Sequence, residues 1–212
     1  QLAELRLRNE RALLRPLTSA DQPQLAQIAY DDSIWRYFVT TVRSDADLEA
    51  YVQAAVDDRA AGRRAVFAVI DRASGRVAGS MAYGNLAPAD GRLEIGWSWL
   101  GKAFQGSGLN RAAKLLLLDH AFDGLGCERV EFKTDVLNTQ ARQGLLGIGA
   151  QPEGVLRSYN VMPGGRRRDA IYFSILRAEW PAVRQRHFGA LLQPGDTFRA
   201  NLRHLLVENA AS

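Results

Sequence analysis

The stretch from Ala65 to Leu100 does most to restrict the folds open to this chain. Ala65 to Ile70 is an uninterrupted apolar run, the pattern of a strand buried on both faces. Asp71 to Gly75 reads as a turn, Arg76 to Tyr83 as a returning strand, Pro88 to Gly91 as a second turn and Leu93 to Leu100 as a third strand. Turns this short join neighbouring strands, so the segment predicts a three-stranded antiparallel meander.

Such a sheet must bury its faces, and the flanking sequence supplies helices. Ala12 to Arg15 reads as a first strand, stopped by Pro16, with Thr18, Ser19 and Asp21 as N-cap candidates for a helix through Leu25 and Ile28. Ser44 caps a second helix, in which Leu48, Tyr51, Val52, Ala55 and Arg59 recur at helical spacing until Gly62. Beyond the meander, a helix from about Ser107 to Phe122 carries four consecutive leucines, Leu115 to Leu118, which cannot share one face and require burial on more than one side. Val130, Phe132, Thr134 and Val136 then alternate with Glu131, Lys133 and Asp135, as in a half-buried strand. A helix from Asn138 to Leu146, strands at Val155 to Val161 and Ala170 to Leu176, and a helix from Glu179 to Leu192 with Pro181 in its first turn follow. This order predicts one α/β (α+β) domain over residues 11–192, a mixed, mostly antiparallel central sheet flanked by helices. Residues 1–10 read as an N-terminal extension and 193–212 as a C-terminal tail.

Composition narrows the function classes. Cys127 is the single cysteine of the 212 residues, so no intramolecular disulfide forms, and a reducing cytoplasm is the expected compartment. The three histidines, His120, His187 and His204, are far apart in sequence and show no metal-ligand spacing, so no metal is expected. Net charge is +4, and its arginines are scattered rather than concentrated on one face, which argues against nucleic acid as a partner. No apolar run approaches the roughly 20 residues of a membrane helix. The charged start, Gln1 to Glu10, does not read as a signal peptide.

The chemistry concentrates at Gln105-Gly106-Ser107-Gly108-Leu109-Asn110, between the third meander strand and the leucine-rich helix. Glycines there let a ligand approach the backbone, and the first amides of a helix point outward at the positive end of its dipole, a nest for phosphate. The loop lacks the Gly-Lys-Ser/Thr ending of a Walker loop and the spacing of a dinucleotide fingerprint.

These residues resemble the cofactor signature of the GNAT N-acetyltransferase superfamily, Gln/Arg-x-x-Gly-x-Gly/Ala, with Gln105 first, Gly108 fourth and Asn110 in place of the usual small last residue. The wider stretches Arg92 to Leu100 and Lys102 to Gly108, together with Asn138 to Arg142 and Ile34 to Phe38, are similar to the RimJ/RimL-like branch. The likeness runs from about Arg11 to Trp180. It implies a single GNAT domain with acetyl-CoA as cofactor, held by Gln105, Gly106, Ser107, Gly108, Leu109 and Asn110, by the strand residues Trp97, Ser98 and Trp99, and by Asn138. It also implies an amine acceptor, either a protein N-terminus or a small molecule, in a pocket built from Trp35, Tyr37, Phe38, Tyr83, Asn85, Tyr159 and the rest of the Tyr159 to Arg168 hairpin. Many relatives are homodimers.

Within that resemblance Glu94 is the expected catalytic base, since many GNATs place a glutamate on the strand before the loop. Regular alternation would put Glu94, Gly96 and Ser98 on one face and Ile95, Trp97 and Trp99 on the other. The usual acid candidates are replaced by Ala141 and Leu145, which leaves water, Tyr83 or Tyr159 to protonate the thiolate. Two other readings stay open: a GNAT-fold protein that binds CoA or acyl-CoA without transferring anything, and a nucleotide binder using the same loop.

Overall fold

A computed structural model describes residues 2–192. The strands are β1 (Leu7–Arg8), β2 (Ala12–Pro16), β3 (Ala65–Asp71), β4 (Arg76–Ala87), β5 (Arg92–Leu100), β6 (Arg129–Asp135), β7 (Gln151–Val161) and β8 (Arg167–Leu176). They form one sheet in the order β1-β2-β3-β4-β5-β6-β8-β7. Every neighbouring pair is antiparallel except β5 with β6, which run parallel. The mixed, mostly antiparallel sheet read from the sequence is the one observed, with the meander β3-β4-β5 at its centre. The α-helices are α1 (Gln22–Ala26), α2 (Asp32–Trp35), α3 (Asp45–Ala60), α4 (Leu109–Asp119), α5 (Thr139–Gly147) and α6 (Trp180–Phe188).

The helices divide between the two faces of the sheet. On one face α4 and α6 pack over the strands in a core that contains Phe67, Met81, Leu93, Ile95, Phe132 and Phe173 together with all five leucines of α4. On the other face Leu25, Trp35, Leu48 and Val52 cover Val66, Ala68, Ala82 and Trp99. This second core stops at β5: none of its residues lies on β6, β7 or β8. Half of the second face therefore stays open, and the site lies along it.

Local chemistry sets the element boundaries. Ser44 accepts a hydrogen bond from the Asp47 amide and starts α3, and Gly62, at φ +67°, follows the helix end. Helix α1 ends at Ala26, short of the expected Ile28, because the chain turns there to carry Trp35 into the core, where its indole donates to the Ala29 carbonyl at 2.7 Å. The leucine-rich helix starts at Leu109 rather than Ser107. Gly106 and Gly108 sit at φ +69° and +84°, outside right-handed helical space. It ends in a π-helical turn, His120–Gly124.

Asp135 departs from the alternation read for its strand. It is 1% exposed, because Arg166 of the β7–β8 hairpin and the Leu137 amide both donate to its carboxylate. Within the expected N-terminal extension, Leu7 is buried in the larger core and Leu7–Arg8 lengthens the sheet by one strand, paired with β2. The expected C-terminal tail, 193–212, lies outside the described residues.

Candidate active site

The site begins where two strands part. Strands β5 and β6 pair only at Arg92 with Arg129, Leu93 with Val130 and Glu94 with Glu131. Both continue, β5 to Leu100 and β6 to Asp135, without pairing further. Backbone N–H and C=O groups along both walls of the resulting slot are thus left for a ligand to satisfy. An extended arm carrying amides fits such a slot.

At the far end of β5 lies the glycine loop. Gln105, Gly106, Ser107, Gly108 and Asn110 are exposed, whereas the Leu109 side chain is fully buried and can offer only its backbone. A Cβ built on Gly106 or Gly108 would meet nothing within 4 Å, so the loop surface is open to a ligand. The Gln105 amide donates to the Leu100 carbonyl at 2.9 Å and the Ser107 hydroxyl to the Phe104 carbonyl at 2.6 Å, which pins the loop back on its strand. The first amides of α4 have no intrahelical acceptor, as in any helix, and suit a phosphate. Across the slot, Asn138 caps α5 by accepting from the Ala141 amide at 3.1 Å, and Arg142 donates to the Val136 carbonyl.

Glu94 occupies the vertex of the slot and is 2% exposed. Asn85, at φ +46° in an irregular stretch of β4, donates from Nδ2 to Glu94 Oε2 at 2.5 Å. Asn85, expected in the acceptor pocket, thus orients the carboxylate. Burial pushes the Glu94 carboxyl above its usual range. The Lys133 cation, the Asn85 hydrogen bond and Arg168 oppose that rise, while Glu131 adds to it. The result is a carboxylate that binds a proton more tightly than a solvated one, as a general base requires.

The alternation expected for β5 is broken by a bulge. Ala82 pairs with Gly96 and Ser80 with Trp99, so Trp97 and Ser98 together oppose Met81, and Trp97 takes φ +51°. Gly84 lies directly across from Glu94, and the Trp97 ring covers it: a Cβ on Gly84 would sit 2.3 Å from that ring. Trp97 and Trp99 consequently share the face of Glu94, opposite Ile95, which is packed in the other core.

The expected acceptor residues separate into three groups. Trp35 is 3% exposed and packs 5.1 Å from Trp99, whose indole donates to the Tyr51 hydroxyl, so these two tryptophans are core rather than lining. Phe38, Tyr51 and Trp97 line a cavity of about 450 Å³ with Asp47 and Arg64 at its edge, and the Arg64 guanidinium stands 5.2 Å over the Trp97 ring. Tyr37 is half-buried on the same segment. Tyr159 is 41% exposed on β7, with its hydroxyl 3.2 Å from that of Tyr172.

Tyr83 does not belong to the site. It pairs with Ile95, points into the α4 core, is fully buried, and donates to the Leu117 carbonyl at 2.5 Å. Burial drives its hydroxyl well above the usual phenol value, so it neither lines a pocket nor serves as an acid. A Tyr83→Phe variant is expected to keep its turnover and lose about 1 kcal/mol of stability. Thiol-release kinetics beside denaturant unfolding check both halves, and a collapse of turnover would return Tyr83 to the chemistry. His120, stacked on Tyr83 and lowered by burial to about 4, is neutral at pH 7. Cys127 is buried, which pushes its thiol up, away from reactivity.

Sequence reasoning missed Tyr172 and Lys133, and reached Arg168 only as the end of the Tyr159 to Arg168 hairpin. Tyr172 lies opposite Lys133 across the β6–β8 pair, and the Glu94 charge contributes to raising its hydroxyl pKa, after burial and the hydrogen bond with Tyr159. The alternation of β6 placed Lys133 on the polar face, but only the non-consecutive pairing of β6 with β8 brings it beside the other two.

Comparison with known proteins assigns the architecture. The sequence profile of the Acetyltransferase (GNAT) domain matches residues 11–151. An uncharacterized N-acetyltransferase of Bacillus licheniformis, p20, is 30% identical over 175 residues, covering 82% of this chain and 97% of that protein. The Bacillus subtilis (strain 168) protein YdaF, whose name carries a provisional ribosomal N-acetyltransferase assignment, is 30% identical over 183 residues, 85% of this chain and 86% of its own. The crystal structure of a GCN5-related N-acetyltransferase from Brucella melitensis superposes with a TM-score of 0.83 at 27% identity, covering 92% of this chain and 93% of that one. The chain belongs to the GNAT acetyltransferase family.

Proposed function

We propose that the protein is an N-acetyltransferase that moves an acetyl group from acetyl-CoA to a primary amine by direct attack in a ternary complex. The observation that carries the reading is Glu94, buried at the vertex of the β5–β6 slot and held by Asn85. Backbone groups of Trp97, Ser98 and Trp99 would hold the pantetheine arm, residues Gln105 to Asn110 the pyrophosphate, and Asn138 the far side of the slot. When bound, acetyl-CoA supplies an acetyl group activated as a thioester. Glu94 takes the proton that the amine must lose, directly or through one water, and a backbone amide of the bulged strand faces the developing oxyanion. The hydroxyls of Tyr159 and Tyr172 hydrogen-bond to each other on the open face at 3.2 Å. A thiolate leaves with a pKa of roughly 8.5, so an acid assists it without being essential. The names of the relatives favour the cytoplasm as compartment and a RimJ/RimL-like lineage.

Calorimetric titration with acetyl-CoA, then thiol release across amines and N-terminal peptides, tests the reading. Binding with release establishes the transferase. Binding without release on every acceptor favours a CoA-binding protein, and absence of binding removes the loop's assignment.

A separate expectation concerns Gly108. Valine there must adopt φ near +84°, a conformation costing a β-branched residue about 1–3 kcal/mol. The loop escapes the strain by distorting, so Gly108→Val is expected to weaken acetyl-CoA binding by about 10- to 100-fold with the fold retained. Titration of the variant measures the loss, and an unchanged Kd would show that the loop is not the phosphate site.

A further inference from the structure

The open face beside Glu94 carries an uneven set of charges. Its carboxylates are matched: Glu131 with Arg129 at 2.9 Å and Arg92 at 3.8 Å, Glu153 with Arg129, and Asp135 with Arg166. At the other side of the cleft Arg64 is matched by Asp58 at 2.6 Å. Two cations are not matched. Lys133 stands 5.0 Å over the Tyr159 ring, and Arg168, 8% exposed, donates from Nε to Asn160 Oδ1 at 2.8 Å. Among the described residues neither has a carboxylate within 4 Å. A guanidinium withdrawn from water with no carboxylate in contact is costly, and the cost is offset once an anion arrives.

Lys133 and Arg168 lie on the same face as Glu94. Lys133 pairs directly with Tyr172, Arg168 continues the alternation Tyr172, Ala170, Arg168 along β8, and both cations act on the Glu94 carboxylate. The glycine loop, by contrast, opens into α4, which packs on the opposite face. The phosphates of a cofactor held by that loop therefore have their own site. What reaches Lys133 and Arg168 is the acceptor.

We propose that the acceptor is a small amine bearing a carboxylate, such as a free α-amino acid, and that Lys133 and Arg168 receive the carboxylate while the amine faces Glu94. The proposal rests on the transferase reading above. An ammonium beside Glu94 and a carboxylate beside two cations match the field of the cleft at both ends. A polyamine, or a peptide N-terminus without a nearby carboxylate, offers no partner to Lys133 and Arg168, and any added cation is repelled there.

Matched acceptors decide it: L-phenylalanine against L-phenylalaninamide, L-leucine against L-leucinamide, 4-aminobutyrate against butylamine, and alanine-initiated peptides. In at least one pair the carboxylated member is expected to exceed its neutral partner in kcat/KM by at least about tenfold. Lys133→Met and Arg168→Met should reduce that preference to within about twofold by raising KM for the carboxylated member, with the Kd for acetyl-CoA unchanged; both cations act on Glu94, so a change in kcat common to the two members of a pair is read apart from the preference. Lys133 is half-exposed, so its variant remains informative should Arg168→Met fail to fold. Neutral amines or peptides used as well as carboxylated ones overturn the proposal. A weakened Kd for acetyl-CoA in the variants does so too, by assigning the two cations to a cofactor phosphate. If acetyl-CoA binds and no acceptor is turned over, the transferase reading fails on its own. Calorimetry with the same carboxylated amines then settles the subsite: binding lost in Lys133→Met supports it, and no binding to the unsubstituted protein overturns it.

Discussion

Replacing Glu94 with glutamine is expected to lower kcat by about a hundred- to ten-thousandfold while acetyl-CoA binds as before. Glutamine keeps the shape of the side chain but cannot take a proton, so the loss falls on the chemical step. The pH dependence follows from the same burial. Glu94 acts only when ionised and its pKa is raised, so the rate of the unsubstituted enzyme climbs with pH through a limb above the ordinary carboxylate range. That limb should be missing from the residual activity of the variant. Stability runs the other way. The native pKa lies above the unfolded value, so the stability linked to protonated Glu94 is complete below the unfolded value and is lost as pH rises through the native one. Glutamine carries no such loss. Glu94→Gln protein should therefore unfold at pH 7 at the same or a higher temperature than the original, with the difference closing in acid. Full turnover in the variant would remove Glu94 as the base and leave acetyl transfer itself to another group.

Trp180→Ala should produce the largest loss of stability, about 3–5 kcal/mol, seen as a lower midpoint in denaturant with little change in slope. Trp180 is fully buried at the start of α6, with its ring 5.4 Å from Phe122 and 5.7 Å from Phe188. Deleting it opens a cavity between α6 and the π-helical turn that follows α4. The loss should be smaller for Trp180→Phe. The indole N–H is buried with no acceptor among the described residues, so phenylalanine gives up volume but also removes an unsatisfied donor. A destabilisation by alanine of under about 1 kcal/mol would mean that α6 is not part of the cooperative core.

How much of this was legible in the sequence depended on how local its causes were. The meander was readable because an apolar run, two short turns and the strands they join sit within 36 residues. Ser44 announced α3 because a cap acts over three residues. Glu94 and the glycine loop were placed by the order of elements and by likeness to a family. The misses have distant causes. Asp135 is buried by Arg166, on the hairpin beyond the next helix. Tyr172 reaches the neighbourhood of Glu94 only because β8, not β7, pairs with β6. Tyr83 was assigned to the cleft because it lies on the right strand, but one position along a strand reverses the face. The positive φ of Trp97 left no mark in the residue type, since glycine or asparagine is the usual sign.

The bulge at Trp97 has a consequence for how this lineage can vary. It supplies the half-step that lets one strand serve two masters: before it, Ile95 points towards α4 and Glu94 away; after it, Trp99 points away and Leu100 towards α4. Deleting Trp97 or Ser98 would leave Gly96 opposite Ala82 and Trp99 opposite Ser80, so every side chain downstream would keep its core, but the one residue left opposite Met81 would alternate towards α4. The extra residue thus adds a side chain to the cleft face, the Trp97 ring over Gly84, without displacing Trp99, Leu100 or the glycine loop. A descendant one residue shorter here would keep its sheet, both cores and its loop, and would give up only the indole beside Glu94.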